Sequence, residues 1–175
     1  MTLAATPAAA PKSTTSLRSW AARTYDWRIS AYALAALPVG VVAAPLALLG
    51  FSRPAYRLQR ALAVRLLGAR IAEPARGRAA RVVGHSLLAL PLQLLTGILA
   101  GALWADILTR GVCYPLVEVG HDVSQAWGGP TMAGAWAAHF GVGVLTLAIL
   151  LPVVRLLTGA QRRIAVRLLG TGSAC

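Results

Sequence analysis

Residues 29–51, 82–105 and 133–154 run for 23, 24 and 22 positions without an Asp, Glu, Lys or Arg. Nothing else in the chain restricts its fold as strongly. At 1.5 Å per residue, a helix of about 20 apolar residues covers the ~30 Å hydrocarbon core of a bilayer. Inside that core the backbone has no water to bond, so each segment must satisfy its own N–H and C=O groups, as a helix does. The expected fold is therefore an all-α integral membrane protein with about three transmembrane helices. Composition agrees: 57% of residues are hydrophobic and 13% charged, against roughly 45–50% and about 25% in soluble domains.

Charge orders the segments between these runs. Residues 52–81 hold Arg53, Arg57, Arg60, Arg65, Arg70, Arg76, Arg78 and Arg81 against the single acid Glu73, which marks a cytoplasmic basic loop. Residues 106–132 reverse the balance, with Asp106, Glu118 and Asp122 against Arg110, and are expected to form the extracytoplasmic loop. Residues 155–175 bring arginine back and read as a cytoplasmic basic helix and tail. Residues 1–28 are expected to be a disordered tail leading into an interfacial segment, where Trp20, Tyr25 and Trp27 alternate with Arg18, Arg23 and Arg28. One conflict follows. A single span over 29–51, the reading preferred here, puts those N-terminal arginines outside; a re-entrant hairpin bent at Pro38 and Pro45 keeps them inside. The net charge of +12 sits beside apolar segments and not on a separate basic domain, so nucleic acid is not an expected partner. Nearly all of that charge is arginine, with Lys12 the one lysine, a usage that suggests a GC-rich bacterial genome.

A repeat lies over this pattern. Residues 57–68, RLQRALAVRLLG, return as residues 159–170, GAQRRIAVRLLG, with eight of twelve positions identical. Each copy follows an apolar run and is expected to be a basic amphipathic juxtamembrane helix closed by glycine. Leu58, Leu62 and Leu66 form the expected apolar stripe of the first copy, and Ala160, Ile164 and Leu168 that of the second. Arg57, Arg60, Arg65, Arg162, Arg163 and Arg167 then form a surface for anionic lipid or a partner protein. Pro38 precedes Gly68 by 30 positions and Pro91 precedes Gly170 by 79, as expected if a two-span unit was duplicated and its first copy shortened.

Few residues offer chemistry. Gly97 with Gly101, and Ala137 with Gly141, give small-residue faces for close helix packing. Glu118, His121 and Asp122 lie close together and could register a divalent metal or pH, although a solvated polar loop is the plainer reading. His85 and His139 fall near the ends of their runs, where hydration is the plainer reading for both. Cys113 and Cys175 are expected on opposite sides of the membrane and so unable to pair. Motifs for a nucleophile, a phosphate loop or paired catalytic carboxylates are not found, so no catalysis, cofactor or metal is expected.

The order Leu90-Pro91, Leu103-Trp104-Ala105, Tyr114-Pro115-Leu116, Trp127, a returning span, Arg155-Leu156-Leu157 and the closing Arg167-Leu168-Leu169-Gly170 resembles the membrane sensor domain that precedes the kinase core in actinobacterial histidine kinases. Leu37-Pro38-Val39-Gly40 and residues 57–71 look like that domain's first half, so the resemblance covers about residues 18–170. Its motifs are apolar words with a few fixed Pro, Trp and Arg positions. The family usually shows about four spans where three are counted here, and residues up to Cys175 carry neither phosphoacceptor helix nor ATP-binding domain. The resemblance implies a stand-alone membrane sensor or signalling accessory acting through a partner such as a histidine kinase, with self-association left open. The alternative is a structural or transport-associated multi-pass protein of the cell membrane.

Overall fold

The structure is a computed structural model describing residues 26–72 and 76–170. The tail and most of the interfacial segment, with Arg18, Trp20, Arg23 and Tyr25, lie outside the described residues, as do Glu73 and Cys175. The described residues are helical and include no strand: α1 is Trp27–Leu48, α2 Ser52–Leu67, α3 Arg78–Asp106, α4 Tyr114–Val117 and α5 Met132–Leu169. A π-helical stretch, Ile107–Val112, continues α3. Three helices are long and apolar enough to cross a membrane: α1, α3 with its π-helical extension, and α5.

Asp26 starts α1, its carboxylate accepting from the Arg28 N–H at 3.0 Å, so one otherwise orphaned N-terminal donor is satisfied. Pro38 and Pro45 both lie inside the helix. Each removes a donor, from the carbonyls of Leu34 and Val41 respectively, and neither ends the helix. The chain reverses at residues 49–51, where Gly50 takes φ +95°, a conformation that side chains disfavour. The first run is thus not a hairpin bent at its prolines. It is one helix, and α2 folds back along it.

The basic stretch 155–169 is not a separate juxtamembrane helix, contrary to expectation. It is the last part of α5, which runs 38 residues without interruption through Pro152. Arg, Leu, Ala, Gln and Val dominate the stretch, Gly159 adopts no left-handed φ, and nothing there stops a helix. Thr131 caps the other end, its hydroxyl accepting from the Gly134 N–H at 3.1 Å. The 106–132 segment also begins later than expected, because helix persists to Val112.

Three tiers of contact fix the arrangement. At the end bearing the 118–131 loop, the Trp136 indole donates to Gly111 O and the Tyr114 ring stacks on His139 at 4.5 Å. In the middle, Ala33, Ala100, Leu151 and Val154 form one buried cluster. At the basic end, Ala43, Ala47, Tyr56, Val82, Ala165 and Leu169 belong to a second. Helix α1 therefore lies along the basic half of α3 and α5. Its first residues, Asp26 and Arg28, share a cleft of about 380 Å³ with Gly68, Arg155 and Arg162.

The apolar stripes of the repeat are also displaced from expectation. In α2 the buried residues are Ala55, Tyr56, Gln59 and Ala63, while Leu58 is 44% exposed. In the second copy Gln161, Ala165 and Leu169 are buried, and Ala160, Ile164 and Leu168 are only half-buried. The inward face is rotated by about one residue, or ~100°, because each helix turns its glutamine and alanines toward its neighbours. Gly68 closes α2 with φ +60°. Gly170 is instead extended, and glycine is needed there because an added Cβ would collide with Val166 O.

Candidate functional site

The two repeat segments lie side by side and antiparallel. Tyr56 at the start of α2 places its hydroxyl 2.9 Å from Leu169 O, and Arg162 reaches Gly68 O at 3.5 Å. Each segment also sends its shared glutamine into the same third helix. The Gln59 amide donates to Ser86 Oγ at 2.7 Å, and the Gln161 amide donates to Thr96 Oγ1 at 2.8 Å and Leu92 O at 3.0 Å. Ser86 and Thr96 stand ten positions apart on α3, about 15 Å along its axis. Helix α3 is thus gripped at two heights by the same side chain.

These contacts belong to a polar seam. On α3, His85, Ser86, Gln93 and Thr96 are all buried, alternating with Val82, Ala89 and Ala100 at intervals of three or four, so they share the face that meets α1, α2 and α5. Thr96 passes its own proton to Leu92 O at 2.7 Å. Gln59 Oε1, Gln93 Oε1, Gln161 Oε1 and both ring nitrogens of His85 are buried without a protein hydrogen-bond partner. An interhelical polar bond in a membrane protein is worth about 0.6 kcal/mol on average and at most ~1.7. A buried acceptor left unmade costs ~1–3 kcal/mol. The seam is consequently not an optimised glue. Its chemistry is that of amides, hydroxyls and one imidazole, able to hold a neutral polar group and lacking a carboxylate to balance a cation.

The small-residue faces separate into two kinds. A Cβ added at Gly97 would lie 3.5 Å from Ala33 O, and one at Gly101 would lie 3.9 Å from Leu34 Cδ2, so this pair packs α3 on α1. Ala137 and Gly141 are exposed, and a Cβ at Gly141 meets nothing within 4 Å. Their role as an internal packing face is corrected. Gly143 and Ala135 are the buried small residues there, because they face the π-helical extension of α3 and its flanks.

Among the six arginines singled out from the repeat, Arg57, Arg65, Arg162, Arg163 and Arg167 are exposed. Arg60 is partly committed: its Nε donates to Ile71 O at 2.8 Å, tying α2 to the chain that leaves it. An arginine outside the repeat, Arg81, donates to Leu168 O at 3.3 Å and to Gly170 O, where it serves the last carbonyls of α5.

In the loop, Glu118 Oε2 lies 3.5 Å from His121 Nδ1. Asp122 turns away from both and accepts from the Ser124 N–H at 2.9 Å and the Ser124 hydroxyl at 3.0 Å. These two bonds, the backbone one first, hold its carboxyl below the usual range. Among the described residues no three His, Cys, Asp or Glu side chains gather as a metal would require. Glu118 instead lines a cleft of about 390 Å³ with Arg110, Tyr114, Trp127 and His139. His139 Nδ1 is 2.8 Å from Ala135 O, which makes it the donor and leaves Nε2 an acceptor in the neutral ring.

Sequence reasoning missed Gln59, Ser86, Gln93, Thr96 and Gln161. Two signals were present: glutamine is among the identities of the repeat, and Gln93 stands with His85, Ser86 and Thr96 as a polar residue within an uncharged span. Compared with family models, curated proteins and solved structures, the chain finds no significant match in any of the three.

Proposed function

We propose that this chain is a multi-pass protein of the cell membrane that senses or relays a stimulus and acts through a partner, such as a histidine kinase, without catalysis of its own. The observation that carries the reading is the continuity of α5. One unbroken helix bears His139 in the cleft at the loop end and Arg162, Arg163 and Arg167 at the basic end, about 36 Å apart between residues 139 and 163. A tilt or rotation at one end is delivered to the other without a joint. The seam ties this rod to α3 through Gln161, and α3 to α2 through Gln59. The resemblance to a kinase sensor domain supports the same reading.

The test is glutamine at Arg162, Arg163 and Arg167 together. The spans supply the insertion energy, so the variant should reach the membrane at wild-type level. Each arginine near an anionic leaflet is worth roughly 1 kcal/mol, so protease access to the C-terminus should rise. The output of the partner kinase, read as transcription of its regulon, should change with it. Raised access with unchanged transcription would leave only a lipid anchor, and the structural or transport-associated reading would take its place.

A further inference from the structure

Where α1, α2 and α3 meet, the seam opens into a small, partly enclosed polar pocket. Tyr32, Gly40, Gln59, His85 and Gln93 line it, with about 10 Å³ open to the centre of a water-sized sphere. That is close to the least volume that admits one water molecule. His85 and Gln59 are 3% exposed and Gln93 1%. Four polar atoms on the lining, Gln59 Oε1, Gln93 Oε1 and the two His85 ring nitrogens, have no hydrogen-bond partner in the protein. Gly40 makes room for the arrangement: a Cβ there would sit 2.7 Å from Gln93 Oε1.

From this we infer that the pocket is a binding site for one water molecule, held between His85, Gln59 and Gln93 as a hydrogen-bonded bridge joining α2 to α3. Three of these four atoms gain a partner, and the second His85 nitrogen is left over. A water donates twice, to the two amide oxygens, and accepts once, from the protonated nitrogen of a neutral His85 ring. Three bonds is the usual number for a buried water. A monovalent cation of the same size is disfavoured, because no carboxylate lines the pocket to balance its charge. A larger organic ligand does not fit the volume.

Water-to-side-chain magnetisation transfer tests this on the whole protein in lipid nanodiscs, with selective labels on His85 and on the Gln59 and Gln93 amides. Transfer to His85 and to both amides is expected in the wild type. It should vanish in Gly40→Ala, where the new methyl drives Gln93 Oε1 into the water's place. Gln93→Leu should lower the thermal midpoint by leaving Gln59 and His85 without their bridge, and the triple variant Gln59→Leu, His85→Leu, Gln93→Leu should recover part of that loss. Absence of transfer in the wild type overturns the site even if the variants fail to fold. Transfer that persists unchanged in a folded Gly40→Ala also overturns it. A wild-type signal that depends on added ammonium or sodium would replace the water with a cation and refute the proposal. These outcomes are independent of whether the protein signals.

Discussion

At Gln161 the amide group has two bonds to α3, and the side chain is wholly buried. Its substitutions should therefore separate by charge and not by size. Gln161→Leu removes one interhelical donor and an unpaired acceptor together, so it should cost only about 1 kcal/mol. Gln161→Glu buries an unpaired carboxylate in place of the amide and should cost ~3 kcal/mol or more. Thermal unfolding in detergent measures both, and equal effects would mean that the side chain is not enclosed. At the surface, Asp122 offers a pH test. Its carboxyl is held below the ordinary range by Ser124, so the loop turn it closes is intact above that value and is released as pH falls through it. Ser124→Ala removes the hydroxyl bond and keeps the N–H, so the Asp122 midpoint in a carbon-13 titration should move only part of the way up. Asp122 has its partner two positions away, within reach of a sequence reading. The partner of Gln161 was not legible, because Thr96 is 65 positions away and only folding brings them together.

At the scale of the helix, two small-residue pairs that look alike in sequence should respond differently. Gly97 and Gly101 face α1, so replacing both with leucine overpacks an interface and should lower stability by ~1–3 kcal/mol. The same change at Ala137 and Gly141 meets open space at Gly141 and should be nearly neutral in the monomer. Comparing the two double variants by thermal midpoint decides it, and matching losses would place Gly141 against a neighbour after all. Helix continuity has its own test. Spin labels at Trp136→Cys and Arg163→Cys are separated by 27 positions of α5, so a single narrow distance near 40 Å is expected between them. A broad distribution, or one centred well short of that, would show a break at Pro152. Spacing made helical runs legible, but not which helices end. Proline at positions 38, 45, 91 and 152 removes a donor each time without supplying a stop, whereas Gly50 and Gly77, at positive φ, punctuate the chain.

For the whole molecule, the decisive question is on which side α1 begins. Asp26 and Arg28 share a cleft with Gly68 and Arg162, so reporters fused ahead of Asp26, after Gly68 and after Gly170 should all give the cytoplasmic signal, and one near Gly128 the external signal. An external signal from the N-terminal fusion alone would instead support a single crossing by residues 29–51, which the length of α1 also permits. The sequence by itself determined the helical class, the three long apolar helices and the helical form of both arginine-rich segments, because hydrophobic length and helix propensity are properties of consecutive residues. Tertiary structure alone decided that α2 folds back along α1, that the repeat segments pair antiparallel, and that their buried faces carry glutamine instead of leucine. Those outcomes depend on which surfaces approach closely enough to pack and make polar bonds. A helical periodicity defines a stripe to within a residue or so, and the neighbouring helix selects which side of that stripe it meets.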